Sequence, residues 1–146
     1  MSMSSPPALV AWQQKYAKDV VQTASDLTVA QRKLELAVVH VARANELLRR
    51  NEYDLALNSA ENALVVSCDA VLRRDGFAAR SHVARFAYPL LPTVLLQNAG
   101  LLRRIRTARN AAQYEASGVV TRTFAAQAIK LAEDAVVDVT RAVAAG

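Results

Sequence analysis

The segment from Arg103 to Tyr114 places groups that bind phosphate on one side of a predicted helix. At about 100° per residue, arginine, amide and phenol side chains fall in one sector of the helix. These are Arg103, Arg106, Asn110, Gln113 and Tyr114. A guanidinium offers a planar pair of N–H donors that matches phosphate oxygens, and amides and phenols add neutral hydrogen bonds. The strip therefore predicts a surface that binds phosphate.

Arg109 lies at the border between this strip and the apolar side of the same helix. That apolar side is formed by Val94, Leu101, Ile105, Ala108 and Ala112. A charged group beside an apolar seam costs free energy unless it is paired or faces a polar cleft. Arg109 is therefore the arginine of this segment that is hardest to explain as a solvated surface residue.

The charge of the chain is concentrated around the strip. The whole chain of 146 residues has a formal charge of +5, and 14 of its 18 basic residues are arginines. Nine arginines against two acids give residues 73–122 a charge of +7, and the rest of the chain sums to −2. This asymmetry favours a partner that carries phosphate, such as a nucleic acid or a nucleotide, although solvated helix faces would produce the same pattern.

The composition excludes several classes of protein and site. With 29 alanines and eight aromatic residues, the chain is typical of a helical protein rather than a β-sandwich. The lone Cys68 excludes an intramolecular disulfide, and two histidines leave little for a metal site. We expect no metal and no cofactor. The chain also lacks a secretory signal pattern and a long uninterrupted apolar run, which predicts a cytoplasmic protein without a membrane partner.

Apolar periodicity and capping residues predict four main helices. The first begins after Asp26 or Thr28 and ends at Arg49-Arg50-Asn51, and the second runs from about Glu52 to Asp75-Gly76. The third runs from Pro92 to about Ala116 and carries the strip, and the last covers about Thr121 to Ala144. Shorter helices are expected over Ala8 to about Thr23 and near Ser81 to Tyr88, and no run reads as a strand.

The predicted fold is therefore all-α, an up-and-down bundle of four main helices with one or two short ones. Residues 1–7 are expected to form a disordered tail, and residues 8–146 one helical domain. The connection between the first two main helices is so short that they must lie antiparallel.

Several segments together resemble the HEPN family (higher eukaryotes and prokaryotes nucleotide-binding). The paired helices of that family are matched by Ala44–Leu48, Tyr53–Leu57, Ala60–Ala63, Gly76 and Ser81-His82, and its arginine, polar and histidine signature by Arg109–Tyr114. The resemblance covers about residues 28–144. It implies a small helical bundle that dimerises and acts as a metal-independent ribonuclease of toxin or defence systems, or else binds nucleotides or partners without catalysis.

The resemblance implies roles for individual residues. Arg109 matches the catalytic arginine of the family, Asn110 the polar residue after it, and Tyr114 stands where the family has histidine. Arg103, Arg106 and Gln113 would bind RNA phosphates alongside. In such a ribonuclease, a base takes the proton of the ribose 2′-hydroxyl and arginine stabilises the charge that develops on phosphorus. Tyrosine, whose reference pKa is about 10, is poorly suited to be that base, and His82 is a further candidate for an imidazole.

The leading hypothesis is a homodimer that engages RNA or a nucleotide through this motif, as a metal-independent endoribonuclease. The alternative is a catalytically degenerate binding or adaptor module. A cognate antitoxin or a nucleotidyltransferase is the protein partner that the family implies. Two other interpretations stay open: a basic bundle that binds duplex DNA, and a helix pair of a tetratricopeptide repeat, for which no second copy is found.

Overall fold

A computed structural model of the chain describes residues 6–114 and 119–145, with residues 112–114 described by their backbone only. Tyr114 and Gln113 of the predicted strip therefore lie outside the described side chains. In chain order, the elements are helix α1 (Pro7–Lys15), strand β1 (Val20–Gln22), α2 (Leu27–Arg49), α3 (Tyr53–Asp75), β2 (Phe77–Ala79), α4 (His82–Phe86), α5 (Thr93–Leu96), α6 (Ala99–Tyr114) and α7 (Arg122–Ala145).

The all-α bundle is confirmed, with α2, α3, α6 and α7 as its four main helices. The α3 helix is central: it packs against α2, α7, α6 and α4. This position explains its composition, since α3 is long and apolar enough to cross a membrane, yet two thirds of its most apolar stretch is buried inside the bundle. Three short helices are present in the described chain, rather than the expected one or two.

The ends of α2 and α3 follow the local signals in the sequence. The Asp26 carboxylate accepts a hydrogen bond from the backbone N–H of Val29 at 3.0 Å and caps α2. After Arg50, the backbone of Asn51 turns left-handed, with φ of 61°, and α3 starts two residues later. Gly76 ends α3 in the left-handed conformation. The two helices are therefore joined by a tight turn and lie antiparallel, as predicted.

Two predicted boundaries are wrong, one because of a long-range strand pairing and one because of a local side-chain contact. Helix α1 ends at Lys15, and Val20–Gln22 pairs as an antiparallel strand with Phe77–Ala79. Three-residue strands have no alternation to recognise, and their partner lies more than fifty residues away. The helix predicted from Pro92 is also interrupted: α5 ends at Leu96, and the Asn98 side chain donates to the backbone oxygen of Val94 at 2.7 Å, before α6 begins at Ala99.

Helix α1 is anchored to the bundle by Trp12. Its ring is 4% exposed, its Nε1 donates to the backbone oxygen of Ala84 at 2.8 Å, and it packs edge-on against Phe77 and Tyr88. These contacts hold α1 beside α4. As a result, Tyr16 at the end of α1 reaches the side of the bundle where α4 meets α6.

A substitution at Gly76 measures how much the left-handed backbone at the end of α3 contributes to stability. Replacing Gly76 with alanine is expected to lower the free energy of unfolding by about 2 kcal/mol, because a residue with a side chain is strained at this φ and its Cβ would crowd the backbone. The crowded atom is the backbone oxygen of Thr23, 2.9 Å from the added Cβ. Urea unfolding followed by circular dichroism measures the change.

The matched control for that substitution is Gly100→Ala. Gly100 lies in α6, and its added Cβ would meet only the end of the Arg103 side chain, at 3.8 Å. Its unfolding free energy should stay the same or rise slightly. Equal losses in the two variants would contradict the assignment of strain to Gly76.

Candidate functional site

Arg109 lies on the same side of α6 as the buried Leu102 and Ile105. The helical pattern predicted Arg109 at the border of the apolar side and left Leu102 out of it, so α6 is rotated relative to that expectation. Arg109 keeps 27% of its side-chain exposure. Its Nε donates to Asn58 Oδ1 at 2.5 Å, and its Nη1 donates to Glu61 Oε1 at 2.8 Å. Arg109 thus joins α6 to α3.

Glu61 is a carboxyl group inside the bundle, only 1% exposed. Its Oε2 has no hydrogen-bond partner among the described residues. Burial raises the pKa of Glu61, and the charges of Arg109 and Arg106 oppose that rise. A buried carboxylate is tolerated only with such cations nearby, so Glu61 and Arg109 depend on each other.

A second ion pair places an imidazole next to α6. The Arg85 guanidinium donates from Nε to Asp69 Oδ1 at 2.6 Å and from Nη2 to the backbone oxygen of Ala79 at 2.9 Å. Its Nη1 lies 2.6 Å from His82 Nδ1. Guanidinium groups only donate, so Nδ1 accepts and the proton of the neutral ring sits on Nε2.

His82 is held neutral by its surroundings. Burial, as the largest cause, and the charges of Arg85, Arg106 and Arg109 together lower its pKa to about 4, although the charge of Asp69 opposes them. Because Arg106 and Arg109 act on this pKa, the structure brings His82 close to the cationic part of α6. His82 therefore offers an N–H donor at neutral pH, and its remaining lone pair faces Arg85 rather than a substrate.

A cavity of about 350 Å³ lies between the end of α1, α4 and α6. Its polar wall is formed by His82, Arg103 and Arg106, and Tyr16 and Phe86 contribute aromatic rings. Neither Arg103 nor Arg106 has a carboxylate within 4 Å in the described part of the chain, in contrast to Arg85 and Arg109. The cavity therefore presents positive charge and an imidazole N–H donor to solvent.

The structure separates the predicted site residues into two groups. Arg103, Arg106 and the exposed Asn110 follow one another at spacings of three and four along α6, which puts them on one stripe. Arg109 points inward to α3 instead. These three residues thus share one side of α6, whereas Arg109 is already engaged by protein groups.

The acidic and amide partners of the arginines were not predicted from the sequence. Asn58, Glu61 and Asp69 interrupt the buried face of α3, and polar groups on such a face need partners. That was the signal available in the sequence. Their partners, Arg85 and Arg109, were visible only as part of the general basic charge. The described residues contain no cluster of three or more His, Cys, Asp or Glu side chains that could hold a metal ion.

A comparison with protein-family models shows which family has this helical arrangement. The family model of the HEPN domain matches residues 30–141, which is most of the chain and includes Glu61, His82 and Arg109. The chain belongs to the HEPN family. HEPN domains are helical, commonly bind nucleotides or RNA and dimerise, and have ribonuclease or adaptor roles in general. Neither the comparison with curated proteins nor the comparison with solved structures finds a match.

The ion pair of this HEPN domain predicts a stability that depends on pH once Arg109 is removed. Arg109→Ala leaves the Glu61 carboxyl buried without its nearest cation, and should cost about 2–3 kcal/mol at pH 8, below the range for a fully buried pair because Arg109 is partly exposed. The pKa of Glu61 then rises further, so the folded state binds a proton that the unfolded state releases. Stability should therefore fall as the pH rises above about 4.5.

The double variant Arg109→Ala/Glu61→Gln supplies the control, since glutamine carries no charge to bury. Urea midpoints at pH 5 and pH 8 should differ strongly in Arg109→Ala and much less in the double variant. The same pH dependence in both would show that Glu61 is not the group that Arg109 neutralises.

His82 is expected to stay neutral throughout the range where an ordinary histidine titrates. NMR of the imidazole carbons should show no midpoint for His82 between pH 5 and pH 8, because its pKa is lowered to about 4. The chain has two histidines, so His40→Gln assigns the signals. A His82 midpoint near 6.5 would contradict the burial and charge environment derived above.

Proposed function

We propose that this HEPN domain binds the phosphate groups of RNA or of a nucleotide in the cavity between α4 and α6. The observation that carries the proposal is the pair of arginines, Arg103 and Arg106, that line this cavity without a described carboxylate partner. A phosphate bound between them accepts hydrogen bonds from their guanidinium groups. The Nε2–H of His82 adds a neutral donor, and Asn110 extends the stripe.

The size and lining of the cavity favour a nucleotide unit over a bare phosphate. At about 350 Å³, the cavity falls in the range of small-molecule sites. Tyr16 and Phe86 offer aromatic surface for a base or a ribose next to the cationic wall. Proteins that bind single-stranded nucleic acids combine aromatic rings and cationic side chains in this way.

Arg109 supports this site in two ways. It holds α6 against α3, which sets the direction in which Arg106, one turn earlier, points. Its charge also acts on the His82 pKa, so it lies close enough to add to the positive potential at the cavity. We propose that its main role is positioning, although the resemblance to the family assigns it to catalysis.

The geometry favours binding over cleavage. Cleavage requires a base for the ribose 2′-hydroxyl proton. His82 carries its proton on Nε2, and its other nitrogen faces Arg85. Tyr114, at the position of the family's histidine, has a poor reference pKa for that task, about 10. Ribonuclease activity of the toxin type, supported by the Arg109 to Tyr114 spacing, is the second candidate.

A homodimer and a protein partner belong to the same proposal. Val83 lines the cavity and is 57% exposed, which places apolar surface at its rim. A second copy packed there would bring two cationic stripes together, as expected for a symmetric interface. A cognate antitoxin or a nucleotidyltransferase is the partner we would look for if no second copy binds.

Binding is tested by fluorescence anisotropy with labelled single-stranded RNA of mixed sequence, in the presence of EDTA. Arg106→Ala should weaken binding about tenfold, the size expected when a charged hydrogen bond is lost. Arg32→Ala, which removes an exposed arginine on α2, is the matched control and should bind like the wild type. Equal binding by wild type and Arg106→Ala would overturn the proposal.

The same samples, run on a denaturing gel, decide between binding and cleavage. We expect intact RNA with the wild-type protein and the onset of cleavage only in Tyr114→His, if a base is what the site lacks. Cleavage by the wild type that disappears in Arg106→Ala would establish the ribonuclease instead. Arg109→Ala is a poor probe here, because loss of activity would be confounded with loss of stability.

A further inference from the structure

Three cavities follow one another around α6 and share their arginine walls. The first is the cavity of about 350 Å³ between the end of α1, α4 and α6, which we call the His82 cavity. The second, of about 830 Å³, lies between α6 and the start of α7, and contains Arg103, Arg104 and Phe124. The third, of about 750 Å³, continues along α7 with Arg104, Arg122 and Lys130. Arg103 lines the first and second cavities and Arg104 the second and third, so the three form one connected surface.

Positive charge is present along the whole of this surface. Arg104, like Arg103 and Arg106, has no carboxylate within 4 Å in the described ranges. Arg122 donates to the amide oxygen of Asn51 at 3.2 Å, which leaves its charge unneutralised. Among the described residues, Lys130 is the one cation of this surface with a carboxylate partner, Asp134 at 2.9 Å, and that exposed pair marks the far end. An anionic chain would meet cations at every step between these ends.

Aromatic rings accompany the cations in both halves of the surface. The guanidinium carbon of Arg104 lies 5.2 Å from the ring centroid of the partly buried Phe124, and the Lys15 ammonium lies 5.5 Å from that of Tyr16. One side of the Phe124 ring packs against the core. A base stacked beside the Arg104 guanidinium would extend the same arrangement, which is how proteins hold single strands without reading their sequence.

We propose that the three cavities form one path for single-stranded RNA, which enters at His82 and leaves beside Lys130. The inference rests on the proposed function and extends it, because it names the ligand as a strand rather than a mononucleotide. Arg103 and Arg104 project about 100° apart around α6. A flexible strand can turn through that angle and place a base beside the Arg104 guanidinium that lies over Phe124, whereas a duplex is stiff and keeps its bases stacked.

The experiment compares three labelled ligands on the full chain by anisotropy: a UpU dinucleotide, a single-stranded oligouridylate of about 12 nucleotides, and an RNA duplex of the same length. The variants are Arg104→Ala and Phe124→Leu, both outside the His82 cavity, with Arg32→Ala as the control. Phe124→Leu keeps an apolar side chain against the core, and circular dichroism checks that each variant is folded.

The single strand should bind at least about tenfold more tightly than the dinucleotide and the duplex. Arg104→Ala and Phe124→Leu should each weaken the strand by about fivefold or more, the smallest effect expected for a lost stacking contact, and leave the dinucleotide unchanged. Arg32→Ala should change neither ligand.

Two results would overturn the path. In the first, the strand binds no better than the dinucleotide, and its affinity is unchanged by Arg104→Ala and Phe124→Leu. If Arg106→Ala still abolishes binding in that case, the proposed function stands without the path. In the second, the duplex binds as tightly as the strand. If none of the ligands binds, or if Arg106→Ala leaves their affinity unchanged, both the path and the proposed function are wrong.

Discussion

The buried carboxyl of Glu61 is the constraint on which the rest of the structure depends. It sits on the central helix at 1% exposure, where ionisation is costly without a cation. Arg109 supplies the cation from α6, and its bond to Asn58 fixes the direction of the guanidinium. This contact turns α6 so that Leu102, Ile105 and Arg109 face inward. The same rotation leaves Arg103 and Arg106 facing the end of α1 and helix α4, and leaves Asn110 exposed on the same stripe.

The ion pair of Asp69 and Arg85 fixes the position of α4 against α3, as the ion pair of Glu61 and Arg109 fixes α6. Arg85 is 10% exposed on its side chain and bridges α3, the backbone of β2 and the imidazole of His82. It thereby sets both the position and the tautomer of that ring. The two ion pairs, both formed by acidic residues on the buried face of α3, orient the two walls of one cavity. Their arginines serve the fold, and the arginines that remain unpaired at the surface are the ones available to a ligand.

Arg109 shows how far a residue pattern carries an assignment. Its place beside an apolar seam correctly marked it as a charge that needs a partner, and the resemblance to the family signature pointed to the same residue. The pattern did not say that the partner lies inside the bundle. The helical wheel also missed Leu102, which is 3% exposed in the structure, because the wheel placed Leu101 and Ala108 at the centre of the apolar side. Asn58 and Glu61 went unnoticed, although polar residues three apart on an apolar helix were the available sign.

The sequence by itself determined the helical class, the four main helices and the basic character of α6. It also determined the turn at Asn51 between the antiparallel α2 and α3, and the end of α3 at Gly76. These follow from short-range physics: apolar period, capping side chains and left-handed turn residues act within a few positions of each other. Only the tertiary structure decided the pairing of Val20–Gln22 with Phe77–Ala79, the pairing of Arg109 with Glu61 and the approach of His82 to α6. Each of these depends on how helices rotate and cross when they pack, and residues tens of positions apart set that jointly, so no local pattern contains it.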